Sequence, residues 1–223
     1  MKKLSSINFS DIITYAGGLI VVRELSSKAA GERRVILSFD NRASAVTQVP
    51  EEVYLSNKFG PACDIIASHL AEPGLCEAVM LPDGAVFAIY PTGECAYFSA
   101  EGEIVSSGAA LYRDCPASSA CFDGKYIWTC VPEMNVILSW HPDPGRFVMR
   151  VGAPGGTDFD RPVSVAYFDG ELYVCCEKSH KIVMTRPGEY KLSTYKVFKE
   201  PVYKYFRADG REYAVLASGL YSL

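Results

Sequence analysis

The sequence predicts an all-β fold built from repeated units, and three of its features carry that prediction. Helical periodicity is nearly absent from the 223 residues. Short runs rich in Val, Ile, Tyr, Phe and Trp are bounded by Gly, Pro, Asp and Asn, as in strands joined by tight turns. Asp-Gly pairs recur, with glycines at Gly84, Gly124, Gly170 and Gly210. A spacing of 40 to 46 residues with about four strands per unit is typical of a β-propeller.

Each Asp-Gly pair lies between two apolar runs and predicts the turn of a hairpin. This pair tolerates the positive φ angles that tight hairpin turns require. Stepping back 43 residues from Gly84 leads to Asn41 in VILSFDNRASAVTQV, which predicts a further hairpin of the same kind. The segment PACDIIASHLAEPG fits either a short helix or a strand, because its periodicity favours neither.

The predicted hairpins give about twenty strands, and hence five four-stranded blades, in a single domain that spans residues 1–223. Four predicted units are continuous in the chain: 32–73, 74–113, 114–159 and 160–199. The fifth is predicted to be split, with inner strands from 200–223 and outer strands from the N-terminal hairpin DIITYAGGLIVVRE. Such a blade would close the ring and remove two open sheet edges.

An alternative frame treats the N-terminal hairpin as the inner pair of a blade of its own. In that frame ERRVILSFD is the third strand, and a degenerate sixth blade lies near 52–73. We expect five blades, with six as the alternative.

The charge balance excludes several classes of partner. The net charge is −4 and the isoelectric point is about 5.5, which excludes DNA as an expected partner and disfavours RNA. Polybasic runs suited to an anionic membrane are absent, and AGGLIVV is too short to span a bilayer. Asn8 and Asp11 interrupt the apolar start, which therefore does not match a signal peptide. We expect a soluble, cytoplasmic protein.

Eight cysteines are expected to be reduced thiols, since the chain is long and lacks an export signal. Several lie in apolar, strand-like runs, where cysteine behaves as a small hydrophobic residue. Cys175 and Cys176 are neighbours in a predicted strand, so their side chains should point to opposite faces of the sheet.

The stretch FDRPVSVAYFDGELYVCCEKSHKIVMT resembles an NHL repeat. The pattern has a proline before the first strand, matched by Pro162, and a Val-Ala pair within it, matched by residues 165–166. A glycine turn follows at Gly170, then a Leu-Tyr-Val second strand at 172–174. A polar-His-basic-Ile start to the third strand matches 179–182.

The resemblance is good over 116–186 and looser over 74–113 and 201–223. The family usually carries an Asp after the second strand, where this chain has Cys176 and Glu177. The resemblance implies a propeller, but it leaves the activity open. Many NHL-type propellers bind proteins, some bind RNA, and related six-bladed propellers are metal-dependent lactonases or lyases.

An acidic residue recurs just before each predicted first strand. These acids are Glu32, Glu72, Asp114, Asp160 and Glu200. Carboxylates repeated once per blade would converge on one rim and could bind a hard cation such as Ca²⁺, or a cationic ligand. The alternative is that acids simply suit solvated turns before proline.

The predicted exits of the second strands carry further candidates. Glu133 and Asn135 could join a rim site. His180 is a candidate too, although a lone histidine is more often a structural hydrogen-bonding residue than a catalyst.

The stretch GEYKLSTYKVFKEPVYKYFR mixes tyrosines with lysines. Tyr190, Tyr195, Tyr203 and Tyr205 could stack on RNA bases beside those charges. The favoured interpretation is an outer strand, half-buried, whose lysines block edge-to-edge aggregation.

Motifs of nucleophilic catalysis are missing from the sequence, which has no Gly-x-Ser-x-Gly, His-Glu-x-x-His or phosphate-binding loop. We therefore expect a non-catalytic scaffold, without a resident cofactor, that binds a protein or small molecule. The alternative is a metal-dependent, lactonase-like hydrolase or lyase with its site at the channel mouth.

Overall fold

A computed structural model of the protein describes residues 1–5, 11–15, 18–27, 31–40, 46–59, 77–90, 92–142, 146–208 and 210–223. These residues form five four-stranded antiparallel sheets, a two-stranded sheet and one α-helix. The strands come from short β-branched and aromatic runs, as their composition predicts.

The five large sheets are numbered in chain order. The first sheet contains β2 (Asp11–Tyr15), β3 (Gly18–Ser27), β4 (Gly31–Asp40) and β5 (Val46–Gln48). The second contains β6 (Glu77–Met80), β7 (Val86–Ile89), β8 (Glu94–Phe98) and β9 (Ile104–Ala109). The third contains β12 (Ser118–Phe122), β13 (Ile127–Val131), β14 (Val136–Trp140) and β15 (Phe147–Val151). The fourth contains β16 (Pro162–Phe168), β17 (Glu171–Cys176), β18 (Lys181–Thr185) and β19 (Ser193–Val197).

The fifth sheet combines the two ends of the chain. It contains β20 (Val202–Ala208), β21 (Arg211–Leu216), β22 (Gly219–Ser222) and β1 (Lys2–Ser5). The two-stranded sheet is the hairpin of β10 (Leu111–Tyr112) and β11 (Cys115–Pro116). A short 3-10 turn, Pro132–Met134, joins β13 to β14.

The four Asp-Gly hairpins are confirmed. Their glycines connect the first and second strands of the second to fifth sheets, and all four have positive φ angles between +69° and +93°. Asp169 also lies in the left-handed region, with φ +53°, directly before Gly170. Left-handed geometry at both central positions is typical of a type I′ turn, whose twist matches that of the flanking strands.

The predicted frame of the first unit is wrong. The N-terminal hairpin does not form the outer strands of the last blade, because β2 and β3 are the first two strands of the first sheet. Asn41 directly follows β4, the third strand, so VILSFDNRASAVTQV is not an inner hairpin; Asn41 itself lies outside the described residues. The alternative frame was right about this hairpin. The spacing misled because residues 49–76 separate β5 from β6, a far longer connection than those between later sheets.

The helix α1 (Glu51–Phe59) falls within that connection, and the sequence did not predict it. It excludes the degenerate blade near 52–73 over the helical residues, while PACDIIASHLAEPG lies wholly outside the described residues. Tyr54 packs against Ile13 of the first sheet, and Leu55 packs on the second sheet. The helix therefore fills the space between these two sheets. No helix in the described ranges is long and apolar enough to cross a membrane.

The fifth sheet does take a strand from the N-terminal end of the chain, but a different one from that predicted. β1 pairs antiparallel with β22, and Lys2 lies opposite Ser222. The last 24 residues supply three strands of this sheet, since Gly219–Ser222 forms a strand after the predicted hairpin. One further strand, β1, therefore completes the sheet.

The first strands of consecutive sheets pack side by side, in the order β6, β12, β16 and β20. Ile12 of β2 packs against Phe206 of β20. Lys204 on β20 and Glu77 on β6 form an ion pair with 3.7 Å between Nζ and Oε1, although their sheets are not consecutive. This half-buried ion pair therefore joins the first strands of the second and fifth sheets.

Apolar clusters fill the space between neighbouring sheets. Between the third and fourth sheets lies the fully buried Trp128, together with Cys130 and Cys176. Cys175 packs instead in the cluster between the fourth and fifth sheets. The predicted opposite orientation of Cys175 and Cys176 is thus confirmed.

The cysteines within the described residues are free thiols, as predicted. They are Cys95, Cys115, Cys121, Cys130, Cys175 and Cys176, whereas Cys63 and Cys76 lie outside the described ranges.

Burial raises the pKa of Cys176 from an ordinary value near 9 to about 12, and it raises the pKa of Cys130 and Cys175 well above that ordinary value. A folded-state pKa above the unfolded one contributes stability that is complete below pH 9 and is lost as the pH rises toward 12. We expect the free energy of unfolding in urea to fall from pH 8 to pH 10.5. We also expect native Cys176 to resist iodoacetamide at pH 9. Cys176→Ala should reduce the pH dependence but not abolish it, since Cys130 and Cys175 keep their raised pKa values. Alkylation of native Cys176 at the rate of the denatured chain would contradict the prediction.

Candidate functional site

Two sets of loops meet at one end of the sheets, which we call the mouth end. The first set enters the first strands: residues 110–117, 152–161 and 198–201. The second set leaves the second strands: residues 90, 92–93, 132–135, 177–180 and 217–218. Because antiparallel neighbours run in opposite directions, a chain that descends along a first strand returns to the same end along the second. Most of the predicted site residues belong to these loops.

Arg161 joins two mouth-end loops. Its Nη1 donates to Glu133 Oε1 at 2.8 Å, and its Nε donates to Glu177 Oε2 at 2.5 Å. The Glu177 backbone N–H donates to the Arg161 carbonyl at 3.0 Å. The hydrogen bond and charge of Glu177 raise the pKa of Arg161 against the effect of burial. One guanidinium therefore neutralises two carboxylates of the mouth-end loops.

Asn135 joins the same loops through its side chain. Its Nδ2 donates to the Gly156 carbonyl at 2.8 Å, and its Oδ1 accepts the Arg161 backbone N–H at 2.9 Å. Gly152 lies so close that a Cβ there would be 3.1 Å from the Asn135 carbonyl and 2.9 Å from the Phe159 ring. Asn135 thus holds the turn after β13 against the loop that leads into β16.

His180 and Asn135 occupy equivalent positions, each directly before the third strand of its sheet. Their φ angles are +53° and +57°, and Gly93 has +83° at the corresponding place in the second sheet. Asn and His are among the non-glycine residues that adopt this left-handed conformation most readily. The His180 carbonyl accepts the Phe198 backbone N–H at 2.7 Å. His180 therefore has a backbone role in its turn.

Glu200 is fully engaged with the next mouth-end loop. Its Oε2 accepts the Ser218 backbone N–H at 2.7 Å, and its Oε1 accepts the Ser218 hydroxyl at 2.6 Å. This carboxylate ties the chain before β20 to the turn after β21.

The predicted recurrence of one acid before each first strand holds only in part. Glu32 lies in β4, opposite Ser26, and so belongs to a third strand. Glu72 lies outside the described residues. Asp114 is exposed at the tip of the β10–β11 hairpin, and Asp160 accepts the Lys178 backbone N–H at its carbonyl, at 3.3 Å.

Within the described part of the chain, no three of His, Cys, Asp and Glu form a group that could hold a metal ion. A Ca²⁺ site stays a prediction.

Sequence reasoning missed the cationic and hydroxyl partners of these acids. Arg161 directly follows Asp160, and Ser218 follows the last second strand, but neither recurs with the repeat. A search for bases beside the recurrent acids would have found Arg161.

The predicted outer strand of tyrosines and lysines divides between two places. Tyr195 lies on β19, the outermost strand of the fourth sheet, as predicted. Tyr203 and Tyr205 lie on β20, which is a first strand, so the prediction is wrong for both. Tyr205 is almost fully buried, because β20 packs against the fourth sheet, whereas Tyr203 stays exposed.

An aromatic cluster encloses Arg207 at the end of the sheets opposite the mouth. The Arg207 guanidinium carbon lies 5.0 Å from the Tyr173 ring centroid and 5.5 Å from that of Phe168. Its nitrogens donate to the hydroxyls of Tyr205 at 2.8 Å and Tyr173 at 2.9 Å. Glu212 accepts from the same guanidinium at 3.3 Å. The cluster joins the fourth and fifth sheets.

No family model matches this chain, and no curated protein matches its sequence. Solved structures do resemble it. A streptogramin B lyase has a TM-score of 0.58 at 10% identity, over 94% of this chain and 76% of that chain. The virginiamycin B lyase from Staphylococcus aureus has a TM-score of 0.54 at 13% identity, over 95% of this chain and 68% of that chain.

These lyases are β-propellers. The chain has a propeller-like fold. A third similar structure, hydrazine synthase from Kuenenia stuttgartiensis, has a TM-score of 0.51 at 15% identity, over 65% of this chain. This chain spans 42% of the length of that protein. At these identities the likeness is one of fold.

Proposed function

We propose that this chain is a non-catalytic scaffold, a five-bladed propeller with NHL-like repeats, which binds a protein or small molecule at its mouth end. The observation that carries the proposal is the bonding of its mouth-end loops to one another. Arg161 joins the turns after β13 and β17, Asn135 joins the first of these to the loop before β16, and Glu200 holds Ser218. Loops fixed in this way lose little conformational freedom when a ligand binds, which favours affinity.

The same bonds argue against acid–base chemistry by these carboxylates. A general acid or base has to exchange its proton with a substrate that lies within hydrogen-bond reach. Glu133 and Glu177 accept hydrogen bonds from one guanidinium, and both oxygens of Glu200 accept hydrogen bonds from Ser218. These groups hold the loops instead.

The alternative is a lyase, and the fold comparison favours it as the second candidate. A catalytically inactive histidine-to-alanine variant of the Staphylococcus aureus virginiamycin B lyase, with quinupristin, has a TM-score of 0.53 over 92% of this chain. This chain carries His180 in a mouth-end turn. In a lyase of this kind His180 would be the residue that moves the proton.

Incubation with quinupristin distinguishes the two functions. The purified protein is mixed with quinupristin, with and without Mg²⁺ or Ca²⁺, and the product is followed by liquid chromatography and mass spectrometry. We expect quinupristin to remain intact, and metal analysis of the purified protein to give less than one equivalent. Turnover that disappears in His180→Ala, but persists in His141→Ala, would overturn the scaffold proposal. Turnover that both variants keep would point to a contaminant and support it.

A further inference from the structure

Two arginines at the mouth end lie against Tyr112 of the β10–β11 hairpin: Arg113 at the hairpin tip, and Arg150 on β15 of the third sheet. The Arg113 guanidinium lies 5.6 Å from the Tyr112 ring centroid, and that of Arg150 lies 5.7 Å from the same centroid. Arg150 Nη1 also donates to the Tyr112 hydroxyl. Both arginines are exposed, and Leu111 beside them is 40% exposed.

These two arginines differ from the other charged clusters of the protein. Arg161, Arg186 and Arg207 each form ion pairs with two acidic residues. Among the described residues, no acidic group lies within ion-pair distance of Arg113 or Arg150. Their guanidiniums lie against an aromatic ring, and neither forms an ion pair within the described part of the chain.

The two residues at the hairpin tip, Arg113 and Asp114, have a strained backbone conformation. Arg113 and Asp114 have φ angles of +50° and +60°. Left-handed geometry at both central residues of a tight turn normally selects Asn-Gly or Asp-Gly, as in the Asp169-Gly170 turn of this chain. Two non-glycine residues in this region cost about 1 kcal/mol each. Strain of this kind clusters where a side chain serves a function.

The hairpin is fixed to the second sheet at its base. The Ala110 N–H donates to the Gly93 carbonyl at 2.7 Å, and the Ala117 N–H donates to the Ala110 carbonyl at 2.9 Å. A Cβ on Gly93 would lie 2.6 Å from the Leu111 side chain and 3.1 Å from Pro116. This close approach holds the tip in one place above the sheet.

We propose that the β10–β11 hairpin, with Arg113 and Arg150 held over Tyr112, binds an acidic segment of a protein partner. The proposal rests on the scaffold function and names the class of its partner. A guanidinium matches a carboxylate with two parallel hydrogen bonds, and its anchoring on a ring lowers the entropy lost on binding. The exposed Leu111 adds an apolar contact that a free anion could not use.

The charges around the hairpin favour a peptide over a nucleic acid. Asp114 lies at the same tip, and the chain has a net charge of −4. A nucleic acid gains affinity by contacting many cations at once, and here Asp114 and the net negative charge of the chain would both repel it. A peptide with spaced carboxylates can avoid Asp114 and still reach the two arginines.

Selection of a phage-displayed library of random dodecapeptides on the wild-type protein tests the proposal. Counter-selection uses Arg113→Gly/Arg150→Gln, which removes both cations. We expect the enriched peptides to be richer in Asp and Glu than the library, and to bind the double variant about tenfold or more weakly, with an affinity that falls as salt rises. Arg146→Gln, which removes an exposed arginine outside the hairpin, should bind like wild type.

Arg113→Gly separates binding from folding. Glycine adopts the left-handed conformation without strain, so the melting temperature should be unchanged or higher while peptide affinity falls. Selection without acidic enrichment, equal binding by the double variant, or tighter binding of a single-stranded RNA dodecamer would overturn the proposal. Quinupristin turnover that disappears in His180→Ala but persists in His141→Ala would instead overturn the scaffold function, whatever the hairpin binds.

Discussion

Replacing Trp128 by alanine is expected to lower the free energy of unfolding by about 3–5 kcal/mol. Trp128 is fully buried between the third and fourth sheets, so its loss leaves a cavity that the rigid strands cannot fill. Its Nε1 also donates to Asp123 Oδ2 at 2.7 Å. Asp123 Oδ1 caps its own Asp-Gly turn by accepting the backbone N–H groups of Lys125 and Tyr126. The change therefore weakens a turn as well as the core.

Urea unfolding followed by circular dichroism gives the loss directly. Trp128→Phe is the matched variant, because it keeps an aromatic ring in the cluster and removes only the donor to Asp123 and part of the volume. It should cost clearly less than alanine. Equal losses in the two variants, or a loss below about 1.5 kcal/mol for alanine, would contradict the burial of this side chain.

Replacing Arg207 by methionine is expected to lower the free energy of unfolding by about 2–3 kcal/mol. Methionine keeps much of the side-chain volume but removes the cation over Tyr173 and the two hydrogen bonds to tyrosine hydroxyls. Among the described residues, the Glu212 carboxylate would then keep Tyr195 and Tyr205 as donors, at 2.6 Å and 3.0 Å. A charge left without its counter-ion in a half-buried site is costly.

Arg186→Met provides the control for Arg207. Arg186 also pairs with two glutamates, at 3.1 Å and 3.2 Å, but it is 54% exposed and contacts no aromatic ring in the described structure. We expect little change in stability there, since exposed ion pairs contribute little. Arg207→Lys should recover only part of the loss, because an ammonium group cannot bond two hydroxyls and a carboxylate in the planar geometry of a guanidinium. Equal losses of stability in Arg207→Met and Arg186→Met would show that enclosure by aromatic rings does not account for the contribution of Arg207 to stability.

The repeat could be predicted from sequence wherever a sheet begins with an Asp-Gly hairpin. Such hairpins join neighbours in the chain, so local turn chemistry specifies them. The first sheet has no Asp-Gly pair, and its β3–β4 hairpin extends over ten residues per strand. Period counting therefore assigned Asn41, which follows the third strand, to the turn between the first and second strands of this sheet. The connection that contains α1 also lengthens the spacing between the first and second sheets, and the spacing of the later sheets gives no sign of this extra length.

The mouth end was found from sequence, but its chemistry was not. Counting acids led to Asp160, Glu133 and Glu200, which do lie in mouth-end loops. Their hydrogen-bond partners come from other loops, and the distances between loops depend on how sheets pack. The ion pair with Arg161 changes the role that Glu133 can have. A carboxylate paired with an arginine holds a loop in place, whereas a free carboxylate could bind a cation.

The pairing of β1 with β22 has a consequence for synthesis. Lys3 lies opposite Tyr221, so the two partners leave the ribosome more than two hundred residues apart. At roughly 5–20 residues per second, about 10–40 s pass between them. During that interval β1 has no strand beside it, while the hairpins of the intervening sheets can each form as soon as they emerge. β1 can therefore join the fifth sheet only after β22 has been synthesised, when the hairpins of the intervening sheets have already had time to form.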